Sequence, residues 1–203
     1  MSGNEKRALE VLNKIVAIDE TFFPAFIERS KIYLSAMQYN LAEESACHAF
    51  TNSYSHIEAL RVVTLVQYLH NYDETQHLAN LGQIVTLLDQ EAHSSLTFCL
   101  ETAKLFSRVC SNDGKTLEFT FGLVSKTCDL ELDSYESSIE KARQLRCLGR
   151  YDEAISQYQF AANIDQSNTD ALQGMILCQV LSGAMEEARQ QLEFLDLVQD
   201  DAR

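Results

Sequence analysis

Among 203 residues there is no tryptophan, a single proline (Pro24) and only seven glycines. Without any stretch rich in proline, glycine and serine, a flexible linker between two domains is not expected, and so few helix breakers favour long uninterrupted helices. Long apolar runs are missing as well. None approaches the roughly 18 residues of a bilayer-spanning helix. The polar start, Met1 to Arg7, is not followed by the apolar stretch of a secretory signal. A soluble protein with no direct membrane insertion is expected. Bases are scarce: 16 face 30 acids, for a net charge of −14. Such a chain repels a phosphate backbone, so nucleic acid is not an expected partner.

Motifs that carry chemistry are also lacking. No phosphate loop, GxSxG, HExxH, EF-hand loop or GxGxxG occurs. Asn112-Asp113-Gly114 comes nearest to a ligand loop, but without further acids at alternating positions it reads as a turn between helices. Six cysteines (Cys47, Cys99, Cys110, Cys128, Cys147 and Cys178) are scattered with no CxxC pair. They are expected to be reduced and mostly buried, packing as small hydrophobes in a cytosolic redox setting. Adjacent residues Cys47 and His48 diverge by about 100° on a helix and cannot easily share a metal. His70 and His77 flank a turn, but no third ligand accompanies them. No metal, cofactor or small-molecule substrate is expected. Nor is a nucleophile set beside a base, so the chain reads as non-enzymatic.

What is present is a period. The run Gly149-Arg150-Tyr151-Asp152-Glu153-Ala154, continuing to Tyr158 and Ala161, sets a glycine at a turn, then a small residue, an aromatic four later and an alanine three after that. The glycine lets the chain leave one helix with positive φ, and the alanines suit a close approach of two helix backbones beside the aromatic. Gly149 to Gly183 is 34 residues, as are Ala154 to Ala188 and Ala8 to Ala42. Leu192 takes the aromatic slot of the last copy. A further step of 34 from Ala42 reaches Gln76, after the turn Asn71-Tyr72-Asp73-Glu74. From Gln76 to Ala154 is two periods plus ten residues. The surplus is expected either in the helix before Ser111 or in the connection Asp129 to Asp133.

A 34-residue unit of two antiparallel helices resembles the tetratricopeptide repeat. The resemblance implies an all-α, right-handed solenoid in a single array over 1–203, opening on a half repeat. A longer, irregular repeat falls around 91–133, and the best-formed repeats are 135–168 and 169–202. Eleven helices are expected, at 4–18, 22–37, 40–53, 56–70, 73–88, 92–110, 114–129, 134–148, 151–164, 169–182 and 184–199. Pro24 suits a first helical turn, Asp133 with Glu136 suggests a capping box, and Asn168-Thr169-Asp170 offers cap and dipole partners.

Further runs narrow the likeness. Ala171 through Cys178-Gln179, the stretch Gln191-Leu192-Glu193-Phe194-Leu195, Ile57 through Arg61 with Tyr68-Leu69, and Leu105-Phe106-Ser107-Arg108-Val109-Cys110 resemble the tetratricopeptide repeat protein 21 family. Members of that family are subunits of intraflagellar transport complex A. The resemblance implies a protein-binding scaffold for ciliary, retrograde transport. It implies the other subunits of that complex as partners, and a location in the cytoplasm, cilium, basal body and associated cytoskeleton. The alternative is a stand-alone adaptor that takes an acidic peptide in its concave groove.

In such repeats the second, fifth, ninth and twelfth positions of the first helix line the groove. With Tyr135 as position one, these are Glu136, Ile139, Arg143 and Arg146. The same count gives Lys31 in the repeat starting at Phe23, and Arg61 and Tyr68 in the one starting at Ile57. Charge singles out one stretch. Residues 32–103 hold eight acids against one base and 152–203 hold ten against two, whereas 104–151 hold seven against eight. Arg143, Arg146 and Arg150 share a helix face there and could grip carboxylates with forked guanidinium donors. The competing reading pairs them inside the chain with Asp129, Glu131, Asp133 or acids of the next repeat, as helix-surface charges commonly are.

Overall fold

The computed structural model describes residues 3–52, 57–90, 96–131, 134–165 and 169–201. Among them lie eleven α-helices and no strand. The chain divides into two compact units, Met1–Ser94 and Ser95–Arg203.

The first unit holds α1 (Gly3–Ile18), α2 (Phe23–Ser35), α3 (Tyr39–Asn52), α4 (Ile57–His70) and α5 (Glu74–Gln90). Each helix packs on the next, and α2 also touches α4. That pattern is the signature of stacked helix pairs, in which first helices lie side by side. Pro24 sits in the first turn of α2, where its missing N–H costs nothing. The core joins Phe26 and Ile27 to Ala42, Ala46 and Ala49 of α3 and to Val62, Val63 and Val66 of α4. The alanines have almost no exposed surface, so the α3 backbone lies close to its neighbours.

The second unit holds α6 (Leu96–Val109), α7 (Gly114–Leu130), α8 (Tyr135–Cys147), α9 (Tyr151–Ile164), α10 (Asp170–Ser182) and α11 (Met185–Asp201). Successive helices pack together, and α8 also touches both α6 and α10. Its core is built from Ala142, Leu145, Ala154, Tyr158, Ala161, Ala171, Met175 and Cys178. Cys99 and Cys110 are likewise buried, while Cys47, Cys128 and Cys147 are half-buried thiols.

Three turns share one geometry. Gly149 (φ +75°) and Gly183 (φ +86°) take the left-handed conformation, and so does Met37 (φ +57°), which stands five residues before Ala42 as Gly149 stands before Ala154. At each turn the left-handed residue's N–H reaches back three residues and the next N–H reaches back five, the latter as Gln38 to Tyr33, Arg150 to Leu145 and Ala184 to Gln179. This helix-ending motif normally takes glycine, so Met37 carries a steric cost there.

Several expectations shift in the details. The small-residue slot of α5 is filled by buried His77 rather than exposed Gln76, followed by buried Leu81, Ile84 and Leu88. Where the surplus length lies is not decided by α6, because residues 91–95, where the expected helix begins, lie outside the described residues; α5 and α7 on either side have 17 residues each. Asp113 caps α7, accepting from the N–H groups of Lys115 and Thr116, so the Asn112-Asp113-Gly114 stretch serves as a turn. Ser134 caps α8, its hydroxyl accepting from Ser137 N–H. Asp133 and Asn168 lie outside the described residues. Thr169 precedes α10 without a side-chain cap bond. Leu192 is 48% exposed, whereas Tyr158 in the equivalent slot is 4% exposed.

Candidate functional site

The first helices of the second unit, α6, α8 and α10, present side chains to one pocket of about 420 Å3. From α6 come Lys104 and Arg108; from α8 come Tyr135, Glu136, Ile139, Glu140, Arg143 and Arg146. Asp170, Gln173, Gly174 and Leu177 of α10 and the ring of Tyr158 complete the wall. All four positions counted from Tyr135 therefore line this pocket.

The floor is a polar network. Glu140 has only 3% of its side chain exposed. Its carboxylate accepts from Arg143 (Nε to Oε2 3.1 Å), from the Ser107 hydroxyl of α6 (2.7 Å) and from Gln144 (2.9 Å). Gln144 in turn accepts from the Thr120 hydroxyl of α7 at 3.1 Å, and Arg143 also donates to Ser107. Burial alone would push the Glu140 carboxyl up. The hydrogen bonds and positive charge of Arg143, with those from Gln144 and Ser107, instead hold it below the usual glutamate range. Arg143 is thus consumed by a carboxylate on its own helix, three residues back, rather than by Asp129, Glu131 or an acid of the next repeat.

Arg146 is placed differently. Its Nε is buried without an acceptor, and its guanidinium lies within hydrogen-bonding reach of the Tyr158 hydroxyl. Burial pushes the Tyr158 phenol up, partly offset by Arg146. The Tyr158 ring reaches this place because α10 has Gly174 beneath it; a Cβ there would lie 2.4 Å from the ring. Lys104 pairs with Glu136. Arg150 turns away to Glu153 (Nε to Oε1 2.6 Å) and stacks over Phe121. Among the described residues, Arg108 and Arg146 are the pocket cations with no carboxylate partner.

The other expected groove residues lie in the first unit. Lys31 bridges Glu28 (2.8 Å) and Glu58 (2.7 Å), tying α2 to α4. Burial would lower its pKa, but the two carboxylates raise it overall. Tyr68 meets Tyr72 edge-on and His77 at a tilt, beside a smaller pocket of about 220 Å3 also lined by Glu43, Gln67, Asn71, Asp73 and Gln76. Arg61 is half-buried on α4 and is not among the residues lining that pocket. His70 contacts Glu43 at 3.0 Å, while His77 is buried against the tyrosines.

Sequence reading missed Lys104, Arg108, Tyr158 and the Glu140 network. Lys104 and Arg108 are four apart on α6 and hence on one face. Counting from Leu96 places Lys104 ninth, like Arg143, but the irregular length between the repeats hid that register.

Residues 76–203 match the family described as tetratricopeptide repeat protein 21 second ARM domain. Tetratricopeptide repeat protein 21B of Homo sapiens is 29% identical over 202 residues, covering 98% of this chain and 15% of that protein. Tetratricopeptide repeat protein 21A of Homo sapiens is 26% identical over 214 residues, covering 98% and 16%. The chain thus spans about 15% of the length of the curated relatives it matches. Among solved structures, PilW, a type IV pilus biogenesis factor, superposes with a TM-score of 0.70 at 13% identity, covering 95% of this chain and 85% of that one. YrrB, a TPR protein with an unusual peptide-binding site, gives 0.57 at 13% identity, covering 95% and 94%. At such identities the likeness concerns the fold alone.

Proposed function

Because this chain belongs to the tetratricopeptide repeat protein 21 family, we propose that it is a non-catalytic, protein-binding segment of an intraflagellar transport complex A subunit, acting in ciliary, retrograde transport. The observation that carries this reading is the family match, extended by relatives that align with 98% of the chain. Stacked helix pairs offer long faces and edges to other proteins, which suits a scaffold. That the two units work as one repeat array is part of the proposal.

The test is capture from ciliated cells. A tagged chain should enrich complex A subunits over a tagged, unrelated helical repeat and should concentrate at the cilium and basal body. A folded chain that enriches none of them would contradict the assignment. The second reading, an adaptor for acidic peptides, is favoured by one feature: Arg108 and Arg146 line a pocket without carboxylate partners among the described residues. Edge docking and groove binding use different surfaces, so one chain can do both.

A further inference from the structure

At the edge of the first unit, where α4 turns into α5, the hollow of about 220 Å3 turns oxygen acceptors toward its space. Glu43 of α3 and Asp73, just before α5, both line it, and among the described residues no lysine or arginine does. Glu43 meets its neighbours through Oε2 alone, His70 Nδ1 at 3.0 Å and Asn71 Nδ2 at 3.1 Å. Its Oε1 is left without a partner among the described residues. A carboxylate can only accept, so Asn71 must turn its NH2 to Glu43, and its carbonyl oxygen remains. Asp73 accepts from the Gln76 N–H through Oδ1 at 3.1 Å, which leaves Oδ2. Gln76 turns its own amide nitrogen inward to Asn80 Oδ1 at 2.7 Å. Tyr68 adds an aromatic wall, its ring 4.9 Å from that of His77.

A second hollow adjoins the first. It holds about 340 Å3 and is lined by Met37, Tyr39, Leu41 and His70. Met37 is 75% exposed and Leu41 43% exposed. His70 links the two spaces, since it stacks on Tyr39 at 5.9 Å and contacts Glu43.

We propose that this edge docks an arginine of a protein partner, its guanidinium held between Glu43 and Asp73, with an apolar neighbour seated over Met37 and Leu41. The inference rests on the scaffold reading and gives that scaffold a docking point on its turn edge. Arginine carries five N–H donors and no acceptor, which suits a hollow whose unspent atoms are acceptors on separate side chains. Its planar head also stacks on a tyrosine ring. Lysine concentrates its charge at one point, so it would satisfy one carboxylate and neglect the other. Residues 32–103 hold eight acids against one base, Arg61, which does not line the hollow. The surrounding field therefore attracts a basic segment and repels an acidic or phosphorylated one. The smaller volume gives room for one long side chain.

The test uses the full 203-residue chain and fluorescein-labelled peptides carrying Leu-Arg-Leu between glycines, with citrulline and lysine counterparts. Anisotropy should show saturable binding of the arginine peptide, roughly tenfold weaker binding of the neutral citrulline version, and weaker binding of the lysine version. Glu43→Gln and Asp73→Asn should each weaken the arginine peptide by roughly tenfold. Asparagine caps a helix as well as aspartate does, so Asp73→Asn keeps the test valid even if Glu43→Gln unfolds. Glu44→Gln removes the same charge from an exposed neighbour outside the hollow and should leave binding unchanged. No binding of the arginine peptide, equal binding of the citrulline version, or an equal loss in Glu44→Gln and Asp73→Asn would overturn the proposal. Tighter binding of the lysine version would overturn the choice of a guanidinium. Capture of complex A subunits by a chain that ignores the arginine peptide would remove this docking point and leave the scaffold reading standing; peptide binding without capture would do the opposite.

Discussion

Lys31 in the first unit and Arg143 in the second stand at the same position of a first helix, nine residues into the repeat, yet they do different work. Lys31 keeps 38% of its side chain exposed and spans two partly exposed carboxylates. Arg143 is 22% exposed and holds a glutamate that is 3% exposed. Exposed pairs contribute little because water screens them, whereas breaking a buried pair strands a charge in a poor solvent. Three positions further on, the contrast widens: the first unit has Leu34 and Tyr68, the second has Arg146. Repeat position decides where a side chain points; burial and nearby carboxylates decide whether its charge is structural or free to meet a partner.

The largest expected break between the units is at the paired acids. Glu140→Ala should cost about 3–5 kcal/mol in urea denaturation, and Glu58→Ala less than about 1 kcal/mol. Equal losses would erase the contrast. Acid should act through the same group. The native Glu140 carboxyl is held below its ordinary value, so the unfolded chain binds the extra proton in that window and stability rises with pH. Its contribution is complete above the ordinary glutamate range and disappears as pH falls through the depressed native value. Glu140→Gln should therefore flatten the acid side of the unfolding free-energy profile.

A pair of helix-interior glycines gives a smaller contrast of opposite sign. A Cβ on Gly174 would strike the Tyr158 ring, whereas one on Gly82 of α5 meets nothing within 4 Å. Gly174→Ala should cost about 1–3 kcal/mol, while Gly82→Ala should add up to about 1 kcal/mol through helix propensity. Ala154→Leu, at a fully buried site between helices, should cost about 1–3 kcal/mol, with Gln159→Leu nearly silent. The smallest effect concerns the turns: Met37→Gly should raise stability by roughly 1 kcal/mol by relieving left-handed strain, and Gly149→Ala should lower it by a similar amount. Thermal melts of the six variants check the signs.

The helices were legible because apolar periodicity, scarce breakers and turn glycines agree. Only the ends moved, by up to two residues among the described ones. The alanine slots at 42, 154, 161 and 188 are buried as their spacing required. Met37 was hidden because methionine carries no turn signal, and the His77 register because α5 follows no turn glycine and its one alanine, Ala79, is exposed and off the slot. The Glu140 network was unreadable for a different reason. Ser107 and Thr120 are 33 and 24 residues from their partners, and serine or threonine on a helix reads equally well as surface. Counting positions placed Arg143 and Arg146 in the same pocket, but nothing in the linear order distinguishes the arginine that is consumed from the one that is not.

That distinction is the claim most open to direct measurement, by urea denaturation of Arg143→Gln and Arg146→Gln. Removing Arg143 strands the buried Glu140, so a loss of about 3 kcal/mol is predicted. Removing Arg146 takes away a buried Nε with no acceptor and a contact to the Tyr158 hydroxyl, so a smaller loss, about 1 kcal/mol, is predicted. Equal losses, or a larger one at Arg146, would contradict the account.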